Sequence, residues 1–246
     1  MLCFSHYPLL SGGGITDDYF YNWATIRKFA LRHGVPSWVF IQSVGFDNSA
    51  AGFADRRRPN KQELLWQVNV GLAYGAKGIQ YFTYWTPAKP PGAPVRFGRA
   101  LVSAGGELTP LYRSAKDVNG YLRVMGKELL PFVSVSVVHA REQRLPFGAK
   151  PFKADGYIRS VGGSRVILGK YRKRGVSDAR YLFVANRSYA EAAKSRLVLS
   201  DSVRGVRKFG IGSGSFTRAT LGRVNGHRYL GVRLAPGAAR LYMLRK

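Results

Sequence analysis

The chain has 246 residues, of which 46% are hydrophobic and 13% aromatic; this is ample for a packed core and excludes wholesale disorder. It carries 39 Lys and Arg against 13 Asp and Glu, and its single Cys excludes an internal disulfide. No apolar run reaches the ~18 residues that a membrane-spanning helix requires. The first residues, MLCFSHYPLL, lack the basic segment and cleavage site of a signal peptide, so we expect none, and the compartment stays undetermined.

Strands and helices alternate three times in the first 126 residues. Long loops follow the strands and short ones follow the helices. This alternation predicts parallel strands with helical crossovers, and loops concentrated at one end indicate the functional face. The predicted strands are Met1–Ser5, Trp38–Gln42 and Ile79–Tyr84, and the helices are predicted to start at the caps Thr16, Asn60 and Thr109.

The helix that starts at Asn60 anchors this pattern. Asn60 and Glu63 have the spacing of a capping box, in which each side chain bonds the other's backbone N–H. Apolar residues at three- and four-residue steps predict an amphipathic helix with one buried face. The predicted stripe is Leu64, Leu65, Val68 and Leu72, and Lys77 follows near the negative end of the helix dipole.

From about Phe132 onward, apolar and polar residues alternate with a period of two, which predicts strands instead of helices. Short runs separated by Gly, Asn and Ser turns indicate an antiparallel β-sandwich. We therefore predict two domains, 1–130 and 131–246. The predicted strands after the first one at Phe132 are Tyr157–Val161, Val166–Tyr171, Tyr181–Ala185, Ser195–Leu199, Arg207–Ile211, Tyr229–Leu234 and Ala239–Leu244.

The net charge of +26 is unevenly divided between these domains. Residues 1–130 hold 15 basic and 8 acidic residues, whereas residues 131–246 hold 24 basic and 5 acidic ones. A basic half of this kind indicates a polyanionic partner, or else a basic surface that reflects only an arginine-favouring genome. The arginines are dispersed through the strands, which favours the second interpretation.

Three segments together resemble the C-terminal part of a (β/α)8-barrel glycoside hydrolase of the β-galactosidase type. They are PSWVFIQSVGF, RRPNKQELLWQVNVGLAYGAKGIQYFTYW and GELTPLYRSAKDVNGYLRVMG, and the tail, with YLFVANRS and LAPGAARLYML, is similar to the sandwich that follows such barrels. The resemblance implies an α/β fold: a partial TIM barrel of strands six to eight, followed by an antiparallel β-sandwich. Because a barrel needs eight strands, the resemblance also implies that this chain is the second part of a longer protein. A truncated reading frame or a late start codon would explain this, and so would a split gene, in which a separate chain supplies strands one to five.

Retaining glycoside hydrolysis requires two carboxyl groups about 5–5.5 Å apart. In the resembled families they lie at the ends of strands four and seven. Strand four is absent here and strand seven ends in Gln42, an amide that cannot act as nucleophile, so we predict an incomplete catalyst with no assignable catalytic residue. The other acids considered are Glu63, explained as a cap, Asp47 and Asp55, on the loop after strand seven, and Glu107, in a turn.

Aromatic and polar side chains at the strand ends predict carbohydrate binding. Sugar rings stack on aromatic faces, and imidazole or amide groups bond sugar hydroxyls. The alternative is that the aromatic rings only plug the barrel mouth. The predicted substrate-binding residues are His6, Tyr7, Gln42, Tyr84 and Trp85.

No Cys/His spacing or glycine motif indicates a metal or cofactor, and we predict neither. His139 and His227 are interpreted as surface or turn residues without an acidic neighbour. Three functions stay open: a glycoside hydrolase completed by further strands, a non-catalytic carbohydrate-binding remnant, and polyanion binding by the basic sandwich. Nucleic acid ranks last as a partner, because no strand face interleaves basic and aromatic residues.

Overall fold

The computed structural model describes residues 1–88, 92–178 and 180–246 and has a mixed α/β fold. The first half contains three helices and five strands among these residues. None of the described helices is long and apolar enough to cross a membrane. The elements are β1 (Leu2–Ser5), α1 (Tyr19–Arg32), β2 (Ser37–Gln42), β3 (Phe46–Asp47), α2 (Lys61–Ala73), β4 (Gly78–Phe82), β5 (Arg96–Phe97) and α3 (Pro110–Leu129).

The strands β1, β2 and β4 form a parallel sheet in that order. Trp38 lies opposite Gly78, where an added Cβ would come within 2.4 Å of the indole ring, so only glycine fits there. The predicted parallel strands are thus confirmed, although β4 ends at Phe82, before Tyr84. Within the described part of the chain, β1 and β4 each have one strand neighbour, so both outer edges of the sheet are open.

The helix boundaries agree with prediction at α2 and differ at α1. Asn60 and Glu63 form the predicted capping box on α2. At α1 the N-cap is Asp18, without a side-chain capping bond, and the predicted cap Thr16 instead contacts His6. The predicted position of Lys77 suggested a contact with the carboxyl end of α2. Its ammonium group instead donates to three carbonyl oxygens at and just after the end of α3.

The prediction that α2 is amphipathic is wrong. Ten of its thirteen residues are buried, including the polar Gln67 and Asn69. A helix buried on nearly all sides must satisfy its polar groups internally. Gln67 bonds the backbone of Gln42 in β2, and Asn69 donates to the carbonyl of Gly237 in the second half. The helix therefore lies between two layers, and its exposed residues, Lys61 and Gln62, are confined to its first turn.

The second half consists of two antiparallel sheets that share a core, as the sandwich prediction expected. Their strand orders are β12-β11-β15-β9-β8-β6 and β13-β14-β10-β7. The short strands β12 and β13 were not predicted. The strands are β6 (Phe132–Ala140), β7 (Ile158–Gly163), β8 (Val166–Lys173), β9 (Tyr181–Asn186), β10 (Ala193–Leu199), β11 (Gly205–Gly210), β12 (Ser215–Arg218), β13 (Leu221–Val224), β14 (His227–Leu234) and β15 (Ala239–Arg245).

The six-stranded sheet is buried on both faces at its centre. In β9, Leu182 and Val184 point into the sandwich core, whereas Phe183 and Ala185 belong to the core formed with α1 and α2. Strands covered on both sides carry continuous apolar runs, as YLFVA does here. The two halves therefore share one hydrophobic cluster across residue 130.

Polar contacts join the same two halves. His139 is 2% exposed, and its Nε2 accepts from the Tyr74 hydroxyl at 3.0 Å while its Nδ1 lies 3.3 Å from Glu142. Arg187 Nε lies 2.9 Å from the same carboxylate. The interpretation of His139 as an isolated surface residue is therefore wrong. His227 is partly exposed as predicted, yet it too has an acidic neighbour, Asp201.

Burial should make the stability of this interface depend on pH. Burial lowers the pKa of His139 below its ordinary value of 6.5, and it outweighs the opposing hydrogen bond to Glu142. The fold therefore holds the neutral imidazole, and unfolding gains a proton as the pH falls below about 6.5. We expect the thermal midpoint to fall between pH 7 and 5.

His139→Gln should make this decrease shallower, measured by circular dichroism melts across the same pH range. Glutamine can still donate to Glu142 and accept from Tyr74, so the packing is retained. The control is His33→Gln, at an exposed position after α1. An unchanged slope in the His139 variant would contradict the assignment.

Candidate functional site

The loops after β1 and β2 are tied together at the carboxyl ends of the parallel strands. Arg56 forms bridges with both Leu10 and Phe46, and its backbone N–H and C=O bond Phe46 at 2.8 Å each. Its side-chain Nε donates to the Tyr7 carbonyl at 2.6 Å. Arg56 thereby attaches the loop after β2 to the loop after β1, and backbone bonds from Ser11 to Asp55 and from Arg57 to Leu9 join the same two loops.

The neighbouring arginines extend these ties. Arg57 pairs with the buried carboxylate of Glu63 at 2.5 Å, and Arg58 donates to the Thr109 hydroxyl at 2.8 Å. The structure shows that Arg56, Arg57 and Arg58 attach the loop to β1, α2 and the start of α3 respectively.

Tyr7 belongs to a cluster of aromatic rings at this end of the sheet. It stacks on Phe82 with 4.7 Å between centroids and meets Phe46 edge-on at 5.6 Å. Phe97 of β5 closes the group against Phe46 and Phe82. Burial raises the pKa of the Tyr7 hydroxyl, so this group stays protonated. The aromatic cluster forms the floor of the strand-end face.

His6 lies beside Tyr7 but points toward α1. Its Nδ1 lies 2.7 Å from Asn22 Nδ2, and its Nε2 lies 2.5 Å from the Thr16 hydroxyl and 3.5 Å from Asp18. Burial lowers the pKa of His6, and the nearby Asp18 opposes this effect only in part. The imidazole is therefore neutral and held on both nitrogens. Asp18 is also the N-cap residue of α1.

Gln42 is fully buried beneath these loops. Its Oε1 accepts from the Leu9 backbone N–H at 2.9 Å, and its Nε2 donates to the Arg57 carbonyl at 2.8 Å. A sugar hydroxyl could reach this amide only by displacing backbone partners. The expected role of Gln42 in substrate binding stays a prediction that this geometry does not favour.

Tyr84 and Trp85 follow β4 at the carboxyl end of the parallel sheet, and their exposed fractions are 55% and 50%. Tyr84 meets Tyr112 of α3 edge-on at 6.4 Å. The Trp85 backbone pairs with Val102, so the loop that carries both rings is anchored. These two rings are the predicted residues most open to a ligand.

An open cavity of about 340 Å³ lies at this strand end, and it is lined by both loop aspartates. Asp47 and Asp55 each sit one residue beyond the Phe46–Arg56 bridge, on facing segments. Arg56 and Arg96 also line the cavity. None of the five predicted substrate-binding residues lines this cavity. His6 and Gln42 bond groups within the fold, Tyr7 belongs to the aromatic cluster, and Tyr84 and Trp85 are exposed.

Two carboxylates and two guanidinium groups at one cavity can both accept and donate hydrogen bonds. Asp55 Oδ1 accepts from the Asn48 N–H at 2.7 Å, which orients that carboxylate. The sequence pointed to Asp47 and Asp55 as cavity residues through their position after a barrel-like strand. It did not point to Arg96, because no strand pairing was predicted for the loop that contains it. Within the described residues, no three His, Cys, Asp or Glu side chains are grouped as a metal site would require.

Comparison with known proteins adds no relationship to this picture. No protein-family model matches the chain, and no curated protein matches it.

Proposed function

We propose that this chain is a glycoside hydrolase-like protein that binds carbohydrate at the carboxyl ends of β1, β2 and β4, and that these strands correspond to strands six, seven and eight of a (β/α)8 barrel. The parallel order β1-β2-β4 and the anchored loops at one end of the sheet support this assignment. Barrel enzymes place their ligand chemistry at that end.

The observation that carries the proposal is the cavity lined by Asp47, Asp55, Arg56 and Arg96. Each sugar hydroxyl is both a donor and an acceptor, so a site for sugars needs both kinds of partner in fixed positions. The carboxylates accept and the guanidinium groups donate. The exposed rings of Tyr84 and Trp85 offer apolar faces on which a pyranose can stack.

Hydrolysis is proposed only for an assembly with a chain that supplies barrel strands one to five. The open edges of β1 and β4 are where such strands would pair. The amide of Gln42, bonded to backbone on both polar atoms, cannot form a glycosyl ester. The alternative is a non-catalytic carbohydrate-binding protein, for which the chain alone suffices.

Two substitutions test the binding proposal. Trp85→Ala removes the exposed ring, and Asp47→Asn removes a cavity charge while keeping its shape. We expect each to weaken the binding of short β-galacto-, β-gluco- or β-xylo-oligosaccharides about tenfold, measured by calorimetry, because each removes a contact worth about 1.4 kcal/mol. Phe29→Ala is the control, since this exposed aromatic lies near the opposite end of α1.

If all three variants bind as the unchanged protein does, or if none of these oligosaccharides binds, the strand-end proposal is wrong. Turnover of aryl glycosides separates the two forms of the proposal. Release of the aryl alcohol by the chain alone would contradict the need for further strands.

A further inference from the structure

A second, larger groove of about 920 Å³ crosses the outer face of the four-stranded sheet of the sandwich. Its middle is Arg196 of β10, which lies opposite Gly231 of β14 on one side and Gly162 of β7 on the other. Because both cross-strand neighbours of Arg196 are glycines, no side chain covers the groove floor on either side of it. A linear polymer can therefore approach the backbone and the guanidinium group closely.

The middle of the groove is cationic, and its three basic side chains have no carboxylate partner among the described residues. Lys194 and Arg196 alternate with buried residues along β10, and Arg233 lies directly opposite Lys194. None of these three forms an ion pair with a carboxylate in the described parts of the chain. Like charges that face each other across two strands destabilise a sheet. Stability alone does not explain this arrangement, whereas an anionic ligand does.

A tyrosine ring lies flat along the same face. An added Cβ on Gly222 would come within 2.4 Å of the Tyr229 ring, so the ring covers that glycine. The guanidinium of Arg196 is 5.5 Å from the ring centroid, a cation–π distance. At the groove end, Asp201 engages Arg159 and His227. Among the described residues, the open part therefore combines three cations that have no carboxylate partner with one tyrosine ring, which Arg196 contacts from the side of β10.

We propose that this groove binds an anionic polysaccharide whose carboxylate groups pair with Lys194, Arg196 and Arg233 and whose sugar ring lies on Tyr229. Arginine suits carboxylates because its planar fork can bond both oxygens. A neutral glycan fits less well, since none of the described residues that line the groove is acidic. Single-stranded nucleic acid binds on successive aromatic rings, whereas Tyr229 is the single Phe, Tyr or Trp side chain among the described residues that line the groove.

This site is separate from the strand-end cavity, with which it shares no lining residue. The proposal therefore stands whether or not the strand-end face binds sugar. It also revises the sequence interpretation that no strand face combines basic and aromatic residues. Arg196 and Tyr229 come from different strands, and their proximity follows from the pairing of β10 with β14.

The experiment compares sodium polygalacturonate with the same polymer after methyl esterification, which removes charge but keeps the backbone. We expect binding of the charged polymer, loss of binding on esterification, and an affinity that falls as salt is added. The double variant Lys194→Gln, Arg196→Gln should bind about tenfold more weakly, because it removes two charge-assisted contacts at exposed positions.

The matched control is Arg113→Gln, Lys116→Gln on the exposed face of α3, which removes the same charge elsewhere. Equal loss in both double variants would show general charge attraction and would overturn the proposal. Equal binding of the esterified polymer would overturn it as well. Tighter binding of oligothymidylate than of polygalacturonate would make nucleic acid the occupant. Circular dichroism melts of both variants establish that each remains folded.

Discussion

Replacing Trp66 by alanine should reduce the free energy of unfolding by about 4 kcal/mol, the range for buried Trp truncations. Trp66 is fully buried in the middle of α2. Its ring stacks on Tyr19 at 5.2 Å and meets Tyr189 edge-on at 5.4 Å. Its indole N–H donates to the Arg187 carbonyl at 3.1 Å. The substitution therefore removes packing against α1, packing against the sandwich, and one bond between the halves.

Chemical denaturation followed by circular dichroism measures this loss. The matched control is Trp85→Ala, because Trp85 is half exposed and its truncation should change stability by less than about 1 kcal/mol. This control also serves the binding experiment, since it separates lost affinity from lost folding. A Trp66 variant as stable as the Trp85 variant would show that α2 does not join the two halves.

Replacing Gly237 by alanine should cost about 3 kcal/mol through strain and collision at the same interface. Gly237 has a φ of +69°, which favours glycine, and an added Cβ would lie 2.3 Å from the Gln62 carbonyl oxygen and 3.0 Å from the Trp66 nitrogen. Both are backbone atoms of α2 and cannot move independently. The turn before β15 would have to withdraw from the helix.

Gly226→Ala separates the two causes. Gly226 has a φ of +76° with no neighbouring atom within 4 Å of an added Cβ, so it should show only the conformational cost of about 1 kcal/mol. Thermal and urea denaturation of both variants provide the comparison. If the two variants lose the same stability, close approach of the turn to α2 contributes nothing.

Local patterns in the sequence were sufficient for most of the elements. The capping box of Asn60 and Glu63 needs only residues three apart, and the helix begins there as predicted. The strands β1, β2 and β4 were predicted from apolar runs between glycine and proline. The strands β12 and β13 were missed because each has only four residues, too few to show an alternating apolar pattern. Each lies at the edge of its sheet and pairs with one neighbouring strand.

The candidate site was only partly accessible in the same way. From their position after a strand, Tyr84 and Trp85 were predicted to lie at a strand end, and Asp47 and Asp55 to be within reach of a cleft. The structure places the first two on the surface after β4 and the two aspartates at the lining of the 340 Å³ cavity. The position of Gln42 could not indicate that both polar atoms of its side-chain amide would bond the backbones of Leu9 and Arg57. Those partners come from two different loops, and their meeting is a property of loop packing.

The sequence by itself predicted the alternation of strands and helices in the first half, the change to antiparallel strands near residue 130, and where the helix at Asn60 starts, because capping, periodicity and turn chemistry act over a few residues. Only the tertiary structure decided that this helix is buried on nearly all sides, that His139 lies inside the interface, and that Arg196 and Tyr229 share one groove. These features depend on contacts between residues far apart in the chain. Such contacts leave no pattern in a short stretch of sequence. Whether one side of a helix or strand is buried depends on which other part of the chain packs against it.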